Sequence, residues 1–307
     1  MKVTFLGTSG GAPTSLRGLS GVAVERGSEI IMFDCGEGTQ RQMAKAGLNI
    51  NKIEKILISH VHGDHILGIP GILQTLSLLN REKELVIYGA EGIIEFIKAV
   101  RKTIWFNPTF PIFVGQIKEG LVCTEKEYSI YTTCAEHVLP SFGYAIVEHV
   151  RPGKFYPERA RELGVPEGPL WSKLQRGEDV MLSNGKIIMS NEIVGSSRPG
   201  RKIVYTGDTR PSKSIIKLAT NADLLIHDSN YDEDYVEMAA EKGHSTASQA
   251  AQIAVEANVK KLILTHFSPR YESTDLMLLH AKVIFKNAII AEDLMSIEIP
   301  FQKNEVM

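Results

Sequence analysis

Short apolar runs alternate with polar, glycine-containing turns along the chain, which is typical of buried strands joined by tight connections. In the first third of the chain, such runs predict strands at 3–6, 21–24, 30–33, 53–59 and 85–88. Longer stretches with helical spacing of apolar residues lie between them, at 40–46, 69–79 and 92–101. This alternation of strands and helices predicts sheets with helices packed on their outer faces.

The remainder of the chain keeps the strand pattern, with one interruption. Residues 112–150 read as short strands separated by turns, for example at 128–132 and 144–147. Further strands are predicted at 202–205, 224–226, 262–264 and 288–290, with helices at 245–257 and 274–285. No short repeat and no low-complexity tract occurs. We therefore treat residues 1–307 as one α/β domain.

Residues 151–185 are the interruption. Prolines and glycines divide this segment into short pieces, which predicts a protruding insertion within the domain. Basic residues only slightly outnumber acidic ones there. Composition alone does not distinguish a binding arm from a solvated surface loop.

Composition narrows the class of protein. The hydrophobic fraction of 43% and the charged fraction of 23% are those of a soluble globular protein. The formal net charge of −2 gives no global basic field, so a polyanionic partner would need a local patch. No apolar run reaches the roughly 18 residues of a membrane helix. The three cysteines lack Cys-x-x-Cys spacing and read as reduced thiols. We expect a cytoplasmic protein with no membrane partner.

The strongest chemical signal is a loop rich in metal-ligand residue types. His60, His62, Asp64 and His65 fall within six positions, directly after the apolar run 56–58. Imidazole nitrogens and carboxylate oxygens bind zinc, manganese and iron. The protein has only nine histidines in 307 residues, so three in this loop exceed a chance grouping. The spacing suits two metals better than one.

Single residues elsewhere could complete such a site. His137, Asp208 and His266 each follow a strand-like run, where α/β proteins collect functional side chains. Asp208 could bridge two metals. Asp228 and His244 could form a carboxylate–histidine pair outside the metal shell, suited to proton donation. His149 and His280 lack this placement, and we interpret both as structural.

With these residues in order, the sequence resembles the metallo-β-lactamase superfamily and, within it, the ribonuclease Z family. The segments 207–210, 243–246 and 265–271 are similar to that family's aspartate, catalytic-histidine and final histidine motifs. Residues 168–171 resemble the glycine–proline signature of its RNA-gripping exosite arm. Asp228 stands where the family commonly has glutamate, and Ser15 and Gly18 replace the lysine and asparagine of its N-terminal Pro-x-Lys-x-Arg-Asn motif.

The resemblance implies a four-layer αβ/βα sandwich with a protruding exosite arm at 151–185. It also implies two Zn²⁺ ions per subunit, with Mn²⁺ or another divalent metal as alternatives. His60, His62 and His137 would hold the first metal, and Asp64, His65 and His266 the second, with Asp208 bridging. Asp64 would accept a proton from the attacking water. His244, oriented by Asp228, would protonate the departing ribose oxygen.

The substrate implied by the same resemblance is precursor tRNA, cut by a homodimer to leave a 3′-hydroxyl on the tRNA and a 5′-phosphate on the trailer. Two other functions stay open on the sequence. One is a different hydrolase on the same scaffold, acting on small phosphodiesters, thioesters or sulfate esters; the arm around Gly168 argues against it. The other is a non-catalytic RNA-binding subunit, against which the complete ligand set and His244 argue. A diiron oxidoreductase fits less well, since its usual glutamate would replace His62.

Overall fold

The structure, a computed structural model, describes residues 1–301. The chain divides into two compact units, which are described separately. The larger comprises Met1–Ile146 and Lys202–Pro300. The smaller comprises Val147–Arg201 together with Phe301. We call the smaller one the arm unit.

The strands and helices of residues 1–301 are numbered in chain order. The strands are β1 Lys2–Gly7, β2 Gly21–Arg26, β3 Glu29–Phe33, β4 Ile53–Ile58, β5 Leu85–Gly89, β6 Ile112–Gln116, β7 Gly120–Thr124, β8 Tyr128–Ala135, β9 Ser141–Glu148, β10 Val180–Met181, β11 Ile187–Ile188, β12 Lys202–Tyr205, β13 Leu224–Asp228, β14 Leu262–Thr265, β15 Ala288–Ile290 and β16 Ser296–Glu298. The helices are α1 Thr39–Lys45, α2 Gly63–Ile66, α3 Ile69–Leu78, α4 Ile93–Thr103, α5 Pro157–Glu162, α6 Pro169–Gln175, α7 Ser190–Ile193, α8 Lys213–Ala219, α9 Val236–Lys242, α10 Ala247–Glu256 and α11 Asp275–Ile284.

Two seven-stranded mixed sheets form the larger unit. The first has the order β16-β1-β2-β3-β4-β5-β6, antiparallel from β16 to β3 and parallel from β3 to β6. The second has the order β15-β14-β13-β12-β9-β8-β7, with β12 to β15 parallel. The parallel strands agree with the alternation of strands and helices in the sequence. Two neighbouring parallel strands must be joined by a crossover connection, which is usually a helix.

The apolar side chains separate into a layer between the sheets and layers under the helices. Phe5 and Phe33 of the first sheet share one buried cluster with Tyr144 and Tyr205 of the second. The rings of Phe33 and Tyr205 stack at 5.1 Å between centroids. A second cluster lies between the first sheet and its outer helices, and α8 and α10 contact the second sheet. The predicted αβ/βα sandwich is therefore confirmed.

The arm unit has more internal structure than its sequence suggested. It contains three short helices, α5 to α7, and the β10–β11 hairpin. Their apolar residues form a small core of their own: Ala160, Val165, Leu174, Val180, Ile188 and Ile193. These residues are spread over short elements separated by turns, so neither a helical nor a strand period shows in the sequence. No helix within residues 1–301 is long and apolar enough to cross a bilayer.

Candidate metal centre and active site

Most candidate side chains leave the chain at or soon after a strand end, whereas His244 follows the end of helix α9. β4 ends at Ile58, and the chain then runs through the histidine loop into the single-turn helix α2. The loop is tied to the second sheet, because the Phe142 N–H donates to the Ser59 carbonyl at 3.0 Å. His137, Asp208 and His266 follow β8, β12 and β14, as the sequence predicted.

The first group brings three imidazole nitrogens together. His60 Nε2 lies 3.0 Å from His62 Nδ1, and His137 Nε2 lies 3.4 Å from that same atom. A single proton on His62 Nδ1 can serve only one of the two Nε2 atoms, so the other contact places two nitrogen lone pairs against each other. Such a grouping of lone pairs fits a divalent cation.

A second group lies beside it. His65 Nε2 is 3.2 Å from His266 Nε2, and Asp64 Oδ2 is 3.5 Å and 3.4 Å from these two atoms. The backbone N–H of Gly11 donates to the same Asp64 oxygen at 2.7 Å. The donor set of two imidazoles and one carboxylate is again that of a divalent metal.

Asp208 faces both groups, with one oxygen turned to each. Its Oδ2 is 3.5 Å from His60 Nε2, and its Oδ1 is 3.3 Å from His266 Nε2. The carboxylate is buried, yet its Oδ1 has no hydrogen-bond partner among residues 1–301. A buried carboxylate oxygen without a hydrogen bond is costly unless it is paired or coordinates a metal. The residues present therefore fit two divalent ions with Asp208 between them.

The hydrogen bonds around the rings fix which nitrogen points inward. His65 Nδ1 donates to Asp34 at 2.7 Å, and His137 Nδ1 donates to the Gly243 carbonyl at 2.8 Å. The Ser59 hydroxyl donates to Asp34, so its oxygen accepts from His60 Nδ1 at 3.0 Å. Each of these rings therefore carries its proton on Nδ1 and presents a bare Nε2, as outer hydrogen bonds commonly arrange for metal-binding histidines.

Asp34 is a functional residue that sequence reasoning missed. It follows β3 with a left-handed φ of 54°, and its buried carboxylate accepts from Ser59, His65 and Tyr205. The available signal was its place at a strand end, which it shares with His137, Asp208 and His266. Asn230 was missed too; its side-chain amide lies 3.0 Å from His266 Nδ1.

Asp228 and His244 form the pair that the sequence suggested. His244 Nδ1 lies 2.8 Å from Asp228 Oδ2, although aspartate is one methylene shorter than the family's usual glutamate. The backbone N–H groups of Thr209 and Asn230 also donate to this carboxylate. His244 keeps a partly exposed edge, 13% of its side chain, while Asp228 is fully enclosed. Asp228 can therefore stabilise a protonated His244 next to the two groups of candidate metal ligands.

The pKa of His60 is shifted downward by its surroundings, whereas the pKa values of His244 and His266 are shifted upward. Burial lowers the pKa of His60 far below its ordinary value, reinforced by the neighbouring His65. Burial also lowers the pKa of His244, but the Asp228 carboxylate outweighs it and the net shift is upward. For His266, Asp208 likewise overcomes burial and raises the pKa to about 10.

The site opens into a cavity of about 740 Å³. Loop residues Gly10–Pro13 form part of its wall, and Tyr231 and Pro269 form another. His149 and His280 are not among the lining residues; His280 Nδ1 instead contacts Asp232 at 2.8 Å. The structure thus brings the nine predicted site residues to one place: His60, His62, Asp64, His65, His137, Asp208, Asp228, His244 and His266.

Comparison with known proteins agrees with this architecture. The family described as the beta-lactamase superfamily domain matches residues 191–267, and the family described as anti-Pycsar protein Apyc1 matches residues 1–100. Human tRNase Z, short form, superposes with a TM-score of 0.73 and 30% identity, covering 98% of this chain and 100% of that one. The sandwich and its histidine–aspartate edge define a protein of the metallo-β-lactamase fold.

Full-length relatives narrow the class further. Ribonuclease Z of Methanosarcina acetivorans is 45% identical over 303 residues, covering 98% of this chain and 99% of that protein. Ribonuclease Z of Brevibacillus brevis is 42% identical over 314 residues, covering 99% of each. The chain belongs to the ribonuclease Z family and is an enzyme of that family.

Proposed function

We propose that this protein is the endonuclease that removes the 3′ trailer from precursor tRNA, leaving a 3′-hydroxyl on the tRNA and a 5′-phosphate on the trailer. The observation that carries the proposal is the His244–Asp228 pair beside two convergent ligand groups in one open cavity. Hydrolysis of a phosphodiester needs both parts, because charge develops on the phosphate while an alkoxide leaves. Family membership supplies the substrate class.

His60, His62 and His137 would hold one Zn²⁺ and Asp64, His65 and His266 a second, with Asp208 serving both; Mn²⁺ or another divalent ion is an alternative. The chemistry supplied there by divalent ions would be a lowered pKa of the attacking water and stabilisation of charge on the phosphate oxygens. The ligand nitrogens are already turned inward by Asp34, Ser59 and the Gly243 carbonyl. Little reorganisation is then needed on binding.

The proton movements are assigned to two residues. In the reaction a water oxygen bonds to phosphorus while the bond from phosphorus to the ribose O3′ breaks. Asp64 accepts the proton that the water gives up. His244, kept protonated by Asp228, donates its proton to O3′, which becomes the 3′-hydroxyl of the tRNA. The raised pKa of His244 favours its protonated form near neutral pH, which is the form that can donate a proton.

The arm unit is proposed to bind the tRNA body. A chain with a net charge of −2 needs a local basic surface to hold a polyanion. Several arm arginines are exposed, including Arg161 and Arg176, although each also pairs with a glutamate. The core of the arm unit can hold these side chains on a defined surface. In a homodimer, the arm unit of one subunit could bind RNA that is cut by the other subunit. We also propose that the protein acts in the cytoplasm, where its substrate is found.

The direct test is incubation of the zinc-loaded protein with a 3′-extended precursor tRNA, followed by mapping of the cut and of both new ends. We expect cleavage next to the discriminator base, with 3′-hydroxyl and 5′-phosphate ends. His244→Ala should lower kcat at least 100-fold, whereas the histidine control His280→Ala, outside the cavity lining, should not. Absence of that cleavage, together with rapid turnover of a small ester, would contradict the proposal.

A further inference from the structure

Arg210 links the two segments that carry His137 and His244. Its backbone N–H donates to the Glu136 carbonyl at 2.7 Å, directly before His137. Its guanidinium reaches the other way, to the end of α9, where Nε donates to the Ala240 carbonyl and Nη2 to the Glu241 carbonyl at 3.3 Å. The residue therefore holds one strand end by its backbone and one helix end by its side chain.

The end of α9 matters because it leads straight into His244. The last four carbonyls of a helix have no partner within it. The Ala239 carbonyl accepts from the N–H groups of Gly243 and His244, whereas those of Ala240 and Glu241 receive the Arg210 guanidinium. Arg210 thus supplies the hydrogen bonds that the turn cannot supply for itself.

The residue between the helix and His244 is also constrained. Gly243 has a φ of +80°, and its carbonyl accepts from His137 Nδ1 at 2.8 Å. A Cβ at this position would lie 2.7 Å from that nitrogen, so the helix end sits directly against His137. The segment of His137 is held separately by the backbone N–H of Arg210, which a substitution at 210 retains, so the Arg210 side chain bears on the position of His244.

We propose that Arg210 is a positioning residue for His244, holding the end of α9 so that the imidazole meets Asp228; the inference rests on the proposed function. Aspartate at 228 shortens the carboxylate arm relative to glutamate, so the 2.8 Å contact depends on where the backbone of His244 is held. Arg210 acts through His244 and touches no reacting atom.

The test uses leaving groups of different basicity. Arg210→Met keeps the apolar stem and removes the guanidinium donors. With precursor tRNA, whose ribose alkoxide needs a proton to leave, we expect kcat to fall about 10- to 100-fold with KM unchanged. With bis(p-nitrophenyl) phosphate, whose phenolate leaves unprotonated, we expect less than a twofold change. Arg101→Met, which removes an arginine from the last turn of α4, is the matched control. It should leave kcat unchanged with both substrates.

A double-mutant cycle separates positioning from a general effect on the fold. Arg210→Met should lower kcat no further in a His244→Ala background. Multiplicative losses, or equal losses on both substrates, would overturn the inference.

A second readout does not depend on the substrate. In protein labelled with ¹⁵N-histidine, the hydrogen-bonded Nδ1 proton of His244 should be present in the parent and shifted or lost in Arg210→Met. An unchanged resonance would overturn the inference even if precursor tRNA is not cut. Failure of the parent to cut tRNA would instead count against the proposed function alone.

Discussion

Asp34 Oδ2 accepts the Nδ1 proton of His65 at 2.7 Å, and both side chains are fully buried. The same carboxylate accepts from Tyr205 at 2.6 Å and from the backbone and hydroxyl of Ser59. Four donors therefore converge on one carboxylate behind the two ligand groups. Asp34 orients His65 directly and His60 through Ser59.

Replacing Asp34 with asparagine should weaken metal binding. Asparagine tolerates the left-handed backbone at this position, so the loop should keep its path. In either amide orientation, its NH₂ group faces at least one donor and cannot accept from it. We expect the apparent metal affinity to fall 10- to 100-fold, measured by competition with a chelator. Cys134→Ser, at an exposed cysteine, is the control; an unchanged affinity in a folded Asp34→Asn protein would contradict the role given to Asp34.

Metal stoichiometry should report the assignment of ligands to two ions. His62→Ala removes a ligand of the first group only, and His266→Ala removes one of the second only. Each should leave about one ion per subunit, whereas Asp208→Ala, which loses the carboxylate facing both groups, should lower the content further. The measurement is elemental analysis after gel filtration. Loss of both ions from either histidine variant would mean that the groups bind as one cooperative unit.

Two paired residues near the ends of the arm unit allow most of this unit to be deleted. Arg151 and Arg198 form an antiparallel bridge, with hydrogen bonds of 2.8 Å and 2.9 Å in the two directions. Joining them by Asn-Gly in place of residues 152–197 therefore closes a two-residue hairpin. We expect KM for precursor tRNA to rise at least tenfold and its dependence on salt to weaken, because phosphate contacts are lost.

The same deletion should leave hydrolysis of a small phosphodiester within about twofold, since the ligand groups and His244 lie outside the deleted residues. Steady-state kinetics at two salt concentrations with both substrates measures the effect. An unchanged KM for tRNA in the deletion protein would remove the RNA-binding role from the arm unit.

A buried ion pair secures the base of the arm unit. The Arg201 guanidinium contacts both oxygens of Glu148 at 2.7 Å, and both side chains are largely enclosed. Arg201→Leu should lower the free energy of unfolding by about 3–5 kcal/mol, because it leaves a buried carboxylate uncompensated. The double variant with Glu148→Leu should recover part of that loss. Urea denaturation followed by circular dichroism tests this, and equal losses in single and double variants would argue against a coupled pair.

The sheets and the ligand residues could be predicted because their signals are local. Apolar runs ended by turns mark the strands, and the histidine loop packs its ligand types into six positions. The approach of His137 to Gly243 could not be foreseen, since it joins residues 106 positions apart through a backbone carbonyl that any residue would provide. The helices of the arm unit were missed because each is shorter than two full turns, too short to show a period.

Strands β9 and β12 are neighbours in the second sheet, although the arm unit separates them in sequence. The Glu148 N–H donates to the Arg201 carbonyl at 3.0 Å, so the chain departs from the sheet and rejoins it at adjacent points. An insertion whose two ends already meet can lengthen, shorten or be exchanged without changing the register of any strand beneath the ligand residues. Changes in the arm unit and changes in the hydrolytic site can therefore accumulate independently of one another.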